Sequence, residues 1–206
     1  MAVTQNPLTG RSRGKVANFV MSKWRSLNVV KSKPLTVANP RSPGQMRSRV
    51  ELGALSGLAK FGGAALKAGF SHATIGKTER NRFVQLNYDE VSSIGGATPT
   101  IAYSALKYSE GSLAKLVNGT PVTTANSVTV PFTAQTVQSG NSNNAVCYVL
   151  ISAVGDNGIN AITTTLAGGT SLAITNIPFS PIGGRLYIFQ ANVTNKTKSD
   201  SKFIQL

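Results

Sequence analysis

No carboxylate precedes Glu51 in this chain, whereas ten lysines and arginines do. Arg11, Arg13, Lys15, Lys23, Arg25, Lys31, Lys33, Arg41, Arg47 and Arg49 therefore repel one another without local relief. An ordered form of this segment implies counter-charge from phosphate, lipid head groups or an acidic protein surface. The excess is confined to one end. Residues 1–82 hold 15 basic side chains against Glu51 and Glu79, while residues 83–206 hold 6 basic against 5 acidic, out of a net charge of +14. The pattern reads as a basic arm on a near-neutral body, with those ten cations as the candidate nucleic-acid contacts.

With 206 residues the chain has room for one domain plus an extra segment. With a single cysteine, Cys147, and a single histidine, His72, the chain cannot make an internal disulfide, a Cys/His zinc cluster or a two-His metal site. A nucleophile needs a base oriented by a third group, and nothing in the sequence supplies one for His72, which reads as a solvent or interface residue. Asp89 and Glu90 are adjacent, so on any regular element they diverge rather than face one gap. The glycine-rich stretch from Gly53 to Gly69 lacks both the GxxxxGK[ST] pattern and the preceding strand of a phosphate-binding loop. Sequons at Asn118, Asn192 and Asn195 carry little information. The expectation is thus no catalytic residue, no metal, no cofactor and no small-molecule substrate. Residues 1–15 lack the apolar run of a secretory signal, and the most apolar stretch, 145–154, is about half of the roughly 18 residues that a membrane span requires.

Residues 1–13 read as an extended tail without a fold of its own. From Gly14 to Lys33, β-formers alternate loosely with polar residues around Ser26 to Asn28, which predicts a short hairpin. On it Lys15, Lys23, Arg25, Lys31 and Lys33 surround Phe19 and Trp24. Aromatic rings among cations suit the stacking and phosphate contacts of single-stranded nucleic acid. The simpler account is that the two rings anchor the hairpin on the body or on a neighbouring subunit. Pro34, Pro40 and Pro43 hold the next stretch extended.

A helix start follows, with Ser42 at the N-cap, Pro43 at the first helical position and Gln45 at the third. Met46, Val50, Ala54, Leu58, Phe61 and Ala65 recur at three- or four-residue steps as one apolar stripe, and Gly53, Gly57 and the Gly62-Gly63 pair weaken or break the helix. Thr78 and Glu79 open a second helix to about Leu86. From Thr98 onward the chain reads as strands: Ile101–Leu106, Ser127–Phe132, Ala145–Val154, Ala161–Leu166, Ser171–Thr175, Leu186–Val193 and Lys202–Leu206. Asn118-Gly119, Gly140 to Asn144, Asp156-Asn157-Gly158, Gly168-Gly169 and Gly183-Gly184 supply the turns. The run from Ala145 to Ile151 is the most apolar, which makes Cys147 a core thiol on a central strand.

Three segments carry a resemblance: Gly14 to Val20 followed by Trp24, then Val29-Val30-Lys31-Ser32-Lys33-Pro34, then Pro40-Arg41-Ser42-Pro43-Gly44-Gln45. Together they resemble an uncharacterised domain-of-unknown-function family of Bacteroidota genomes. The resemblance extends through Asn81, Asn87, Tyr88-Asp89 and the stretch from Tyr103 to Leu113. It implies the order hairpin, helix, short helix and Ig-like β domain, and it supplies no activity. Ala17 stands where that family has a glycine.

The expected fold is mainly β: an antiparallel β-sandwich, Ig-like or jelly-roll, with a basic N-terminal arm and hairpin (1–42), a segment of one or two helices (43–97) and the sandwich body (98–206). The expected function is that of a non-enzymatic virion protein, a bacteriophage capsid or capsid-associated subunit. Its partners are copies of itself or other virion proteins, and packaged nucleic acid through the arm. A cellular or surface β-sandwich adhesion module, in the bacterial cytoplasm or on the cell surface, is the alternative.

Overall fold

The computed structural model describes residues 2–3, 14–24, 27–36, 39, 41–70, 77–94, 97–133, 144–167, 169–192 and 197–206. The chain divides into two compact units, Met1–Arg41 and Ser42–Leu206.

The first unit is a four-stranded antiparallel sheet in the order β1-β4-β3-β2, made of β1 (Ala2–Val3), β2 (Gly14–Val16), β3 (Phe19–Trp24) and β4 (Leu27–Ser32). The expected hairpin is present as β3 and β4, closed by the pair Trp24 and Leu27. A second hairpin precedes it, with Val16 opposite Phe19, so that Ala17 and Asn18 form a two-residue turn. Ala17 has φ of 49°, the left-handed region in which an L side chain is strained. Of the expected extended tail, 1–13, only Ala2 and Val3 are among the described residues, and they are extended and docked on β4, where Ala2 pairs with Val30 and Val3 with Val29. Strand pairing satisfies backbone groups and needs no hydrophobic period, so composition gave no sign of it. Among the described residues of this unit only Val29 is buried.

In the second unit, helix α1 (Pro43–Gly69) begins as its sequence dictates, with the Ser42 hydroxyl accepting from the Gln45 amide at 3.4 Å. It runs through Gly53 and Gly57 and breaks its helical geometry at Gly63 (φ 39°, ψ −120°). Its buried residues are Glu51, Leu55, Leu58, Ala59, Gly62, Ala65, Leu66 and Gly69. The anticipated stripe is therefore rotated by about one position: Leu58 and Ala65 belong to it, whereas Met46, Val50, Ala54 and Phe61 are only part-buried. Helix α2 (Glu79–Asn87) is capped by Thr78, whose hydroxyl accepts from the Asn81 amide at 3.2 Å.

The body is mainly β, and its named strands pair antiparallel. One sheet has the order β10-β9-β12-β13, from β9 (Ala145–Ile151), β10 (Gly158–Leu166), β12 (Arg185–Ala191) and β13 (Lys202–Gln205). A second has the order β11-β8-β7, from β7 (Val122–Thr123), β8 (Val128–Pro131) and β11 (Ser171–Ile174). A small pair joins β5 (Val91–Ser92) to β6 (Thr100–Ile101). The two larger sheets make a sandwich, because Val146, Leu150, Leu186, Ile188 and Ile204 share a buried cluster with Val128, Val130, Leu172 and Ile174.

The alternate residues of the four-stranded sheet, Cys147, Val149, Ile151, Tyr187, Phe189 and Phe203, pack instead with Leu55, Leu58, Leu66 and Phe83 of the helices. Strands buried on both faces read as continuous apolar runs, which is why β9 and β12 were conspicuous in the sequence. A line of tilted rings crosses this layer, with centroids 4.7 Å apart from Phe83 to Tyr108, 4.7 Å from Tyr108 to Tyr187 and 5.5 Å from Tyr187 to Phe203. The expected strand Ile101–Leu106 is corrected. It stops after Ile101 and becomes a 3₁₀ turn at Tyr103–Ala105, where the Leu106 amide donates to the Tyr103 carbonyl at 3.3 Å. That carbonyl also accepts from the Tyr187 hydroxyl at 2.7 Å, which fixes the turn against the central sheet.

Candidate nucleic-acid interface

Eight of the ten candidate cations belong to the first unit, and Arg47 and Arg49 lie on the first turns of α1 in the second. Arg11, Arg13 and Arg25 lie outside the described residues, as does His72. Lys15, Lys23, Lys31, Lys33 and Arg41 are exposed. Phe19 is 52% and Trp24 47% exposed, so neither ring is closed into a core.

Strand register sorts these side chains. Lys15 stands opposite Val20, and Val20 opposite Lys31, so one row across three strands reads Lys-Val-Lys. Directly paired residues share a face, and alternate residues along a strand do so too. Lys15, Val20, Lys31 and Trp24 therefore lie on one face of the sheet, and Lys23 and Phe19 on the other. The ladder continues one residue beyond β4 through the Lys33 amide, which donates to the Asn18 carbonyl at 2.6 Å. The sequence displayed the cations and the rings but not this division between faces.

Arg47 is differently employed. Its Nε donates to Glu51 Oε1 at 2.8 Å, and the same carboxylate oxygen accepts from the Ser93 amide at 2.9 Å. Glu51 is 2% exposed, and the Tyr88 hydroxyl lies 3.4 Å from its other oxygen. The Arg47 hydrogen bond, opposed by burial and aided by the Ser93 amide, holds the Glu51 carboxyl below its ordinary value. This group is a structural lock between α1 and the segment after α2, whereas in the sequence Glu51 counts only in the charge balance. Arg49 is exposed.

Two other buried polar residues of the body, Asn87 and Gln190, are likewise engaged internally. Asn87 donates to the Phe83 and Lys107 carbonyls at 2.8 and 3.0 Å and accepts from the Lys107 amide at 2.7 Å. Gln190 donates to the Ala114 carbonyl at 2.7 Å and accepts from Asn144 at 3.3 Å. Cys147 is fully buried, and burial pushes its thiol up to about 12. Among the described residues no group of three or more His, Cys, Asp or Glu side chains is placed to hold a metal ion. No helix among them is long and apolar enough to cross a membrane.

No curated protein matches the chain. Residues 11–194, which include all ten candidate cations from Arg11 to Arg49 together with most of the body, match DUF6266, a family of unknown function. The match takes in parts of both units, and the chain belongs to the DUF6266 family.

Proposed function

We propose that this chain is a non-enzymatic structural protein of a virion, a bacteriophage capsid or capsid-associated subunit whose basic arm contacts packaged nucleic acid or neighbouring subunits. The observation that carries this reading is the segregation of charge into a separate compact unit. Residues 1–41 hold eight of the 21 lysines and arginines and none of the seven acids. A unit that cannot neutralise itself draws its counter-charge from a polyanion, and phosphate backbones supply it without regard to sequence. The body, with helices on one side of the central sheet and a second sheet on the other, is a scaffold suited to tiling. Many subunits in a shell would make the arm contacts cumulative and strongly salt dependent.

The test is sedimentation of the purified protein together with its binding to DNA and RNA at several salt concentrations. Assembly into particles with binding that weakens steeply in salt supports the reading. A monomer that binds neither polymer even at low salt overturns it.

A further inference from the structure

We infer that the arm sheet is a platform for single-stranded nucleic acid, with Trp24 stacking a base and Lys15 and Lys31 meeting phosphates on the same face. This rests on the nucleic-acid reading above and specifies its ligand and its surface. The register places the lysines on either side of Val20, two strand spacings or about 10 Å apart. Trp24 stands four residues further along β3, about 13 Å from that row. A single strand lying along β3 meets the charged row around Val20 at one end and the ring at the other, with Ser22 between them on the same face.

Two observations choose this occupant. The first is charge complementarity. A second copy of the arm laid over the same face would oppose cations to cations, since residues 1–41 contain no acid to pair with them. A polyanion relieves that repulsion. The second is the half-exposed indole on the same face as the lysine row. A duplex keeps its base faces closed in its own stack, whereas an unpaired strand offers each base to an aromatic ring. The described residues of this unit contain no helix that could enter a major groove.

Trp24 is the only tryptophan in the chain, so its emission reports on this face alone. The full chain is titrated with a short oligothymidylate and with a DNA duplex of equal length. Saturable quenching by the oligothymidylate, with tighter binding than the duplex, is the expected result. Trp24→Ala weakens the oligothymidylate complex by about tenfold and leaves duplex affinity unchanged, and Trp24→Phe, which keeps a stacking ring, retains most of the affinity. Lys15→Ala and Lys31→Ala each flatten the salt dependence by somewhat less than one unit of slope, about 0.7. Equal binding of both polymers with unaltered Trp24 emission overturns the platform and leaves nucleic-acid contact standing. Absence of binding to either at low salt overturns both. An emission shift that follows protein concentration alone, with a doubled mass, gives the face to a second copy and overturns the platform.

Discussion

The Oδ1 of Asn160 accepts a hydrogen bond from the amide of Ala64 at 2.8 Å, across 96 positions of sequence. Gly63 interrupts the helical geometry of α1, so the amides that follow need acceptors as at any helix start. Asn160, on strand β10, also lies 3.4 Å from the Ala65 amide and so caps the last turns of α1 from the sheet. A Cβ on Gly63 would lie 2.4 Å from Asn160 Nδ2, so the glycine is required both by its φ of 39° and by this contact.

Asn160→Ala should therefore lower stability by about 1–2 kcal/mol, the usual cost of a lost cap. Gly63→Ala should cost more, since it adds backbone strain and a clash. Denaturant unfolding of both variants and their combination checks this. The double variant should be less destabilised than the sum, because removing the Asn160 amide group relieves the clash. Additive losses would contradict the contact.

The Glu51 carboxyl titrates below its ordinary 4.5 in the folded protein, chiefly through the Arg47 hydrogen bond. Its contribution to stability is complete above 4.5 and is lost as the pH falls through the lower folded value. Glu51→Gln removes that part of the acid sensitivity. Urea midpoints measured from neutral pH down to acid should show the difference between wild type and Glu51→Gln shrinking below 4.5. A constant difference across the range would exclude an ionised Glu51 lock.

Cys147 should resist a thiol reagent in the native protein and react on unfolding, since the thiol is fully buried and burial raises it to about 12. Cys147→Ser should destabilise the body by roughly 1–3 kcal/mol by placing a hydroxyl in the apolar layer between α1 and β9. Immediate labelling under native conditions would contradict both statements.

Ala17→Gly should stabilise the arm by about 1 kcal/mol, because the alanine holds a left-handed φ of 49° at the β2–β3 turn. The readout is hydrogen exchange of the amides across 14–33, which should slow in the variant. Faster exchange would show that glycine's larger entropy loss outweighs the relieved strain.

Replacing Arg11, Arg13, Lys15, Lys23 and Arg25 together with glutamine should weaken nucleic-acid binding and flatten its logarithmic salt slope by up to about 4, since each phosphate contact releases a counterion. Affinity measured at several salt concentrations decides it. An unchanged slope would leave these five cations without a role in phosphate contact.

Much of this architecture is legible locally. The caps at Ser42 and Thr78, the β-runs from Ala145 and Leu186 and the burial of Cys147 follow from neighbours a few residues away, and short-range physics decides them. The charge of the arm is legible for a similar reason, since net charge sums along the chain whatever the fold. What the tertiary structure alone decides is each choice between physically similar alternatives. The glycine-rich α1 carries small and apolar residues around much of its circumference, and packing against Cys147, Val149 and Tyr187 selects the side that holds Leu55 and Leu66 over that of Met46 and Val50. Glu51 is buried only because Arg47 and the Ser93 amide converge on it, and Asn160 becomes a helix cap only when β10 lies beside Gly63. In the arm, a slip of one residue at the Ala17-Asn18 turn would move Lys15 to the opposite face. Register, which no count of cations contains, is what sets Lys15 and Lys31 on the same side as Trp24.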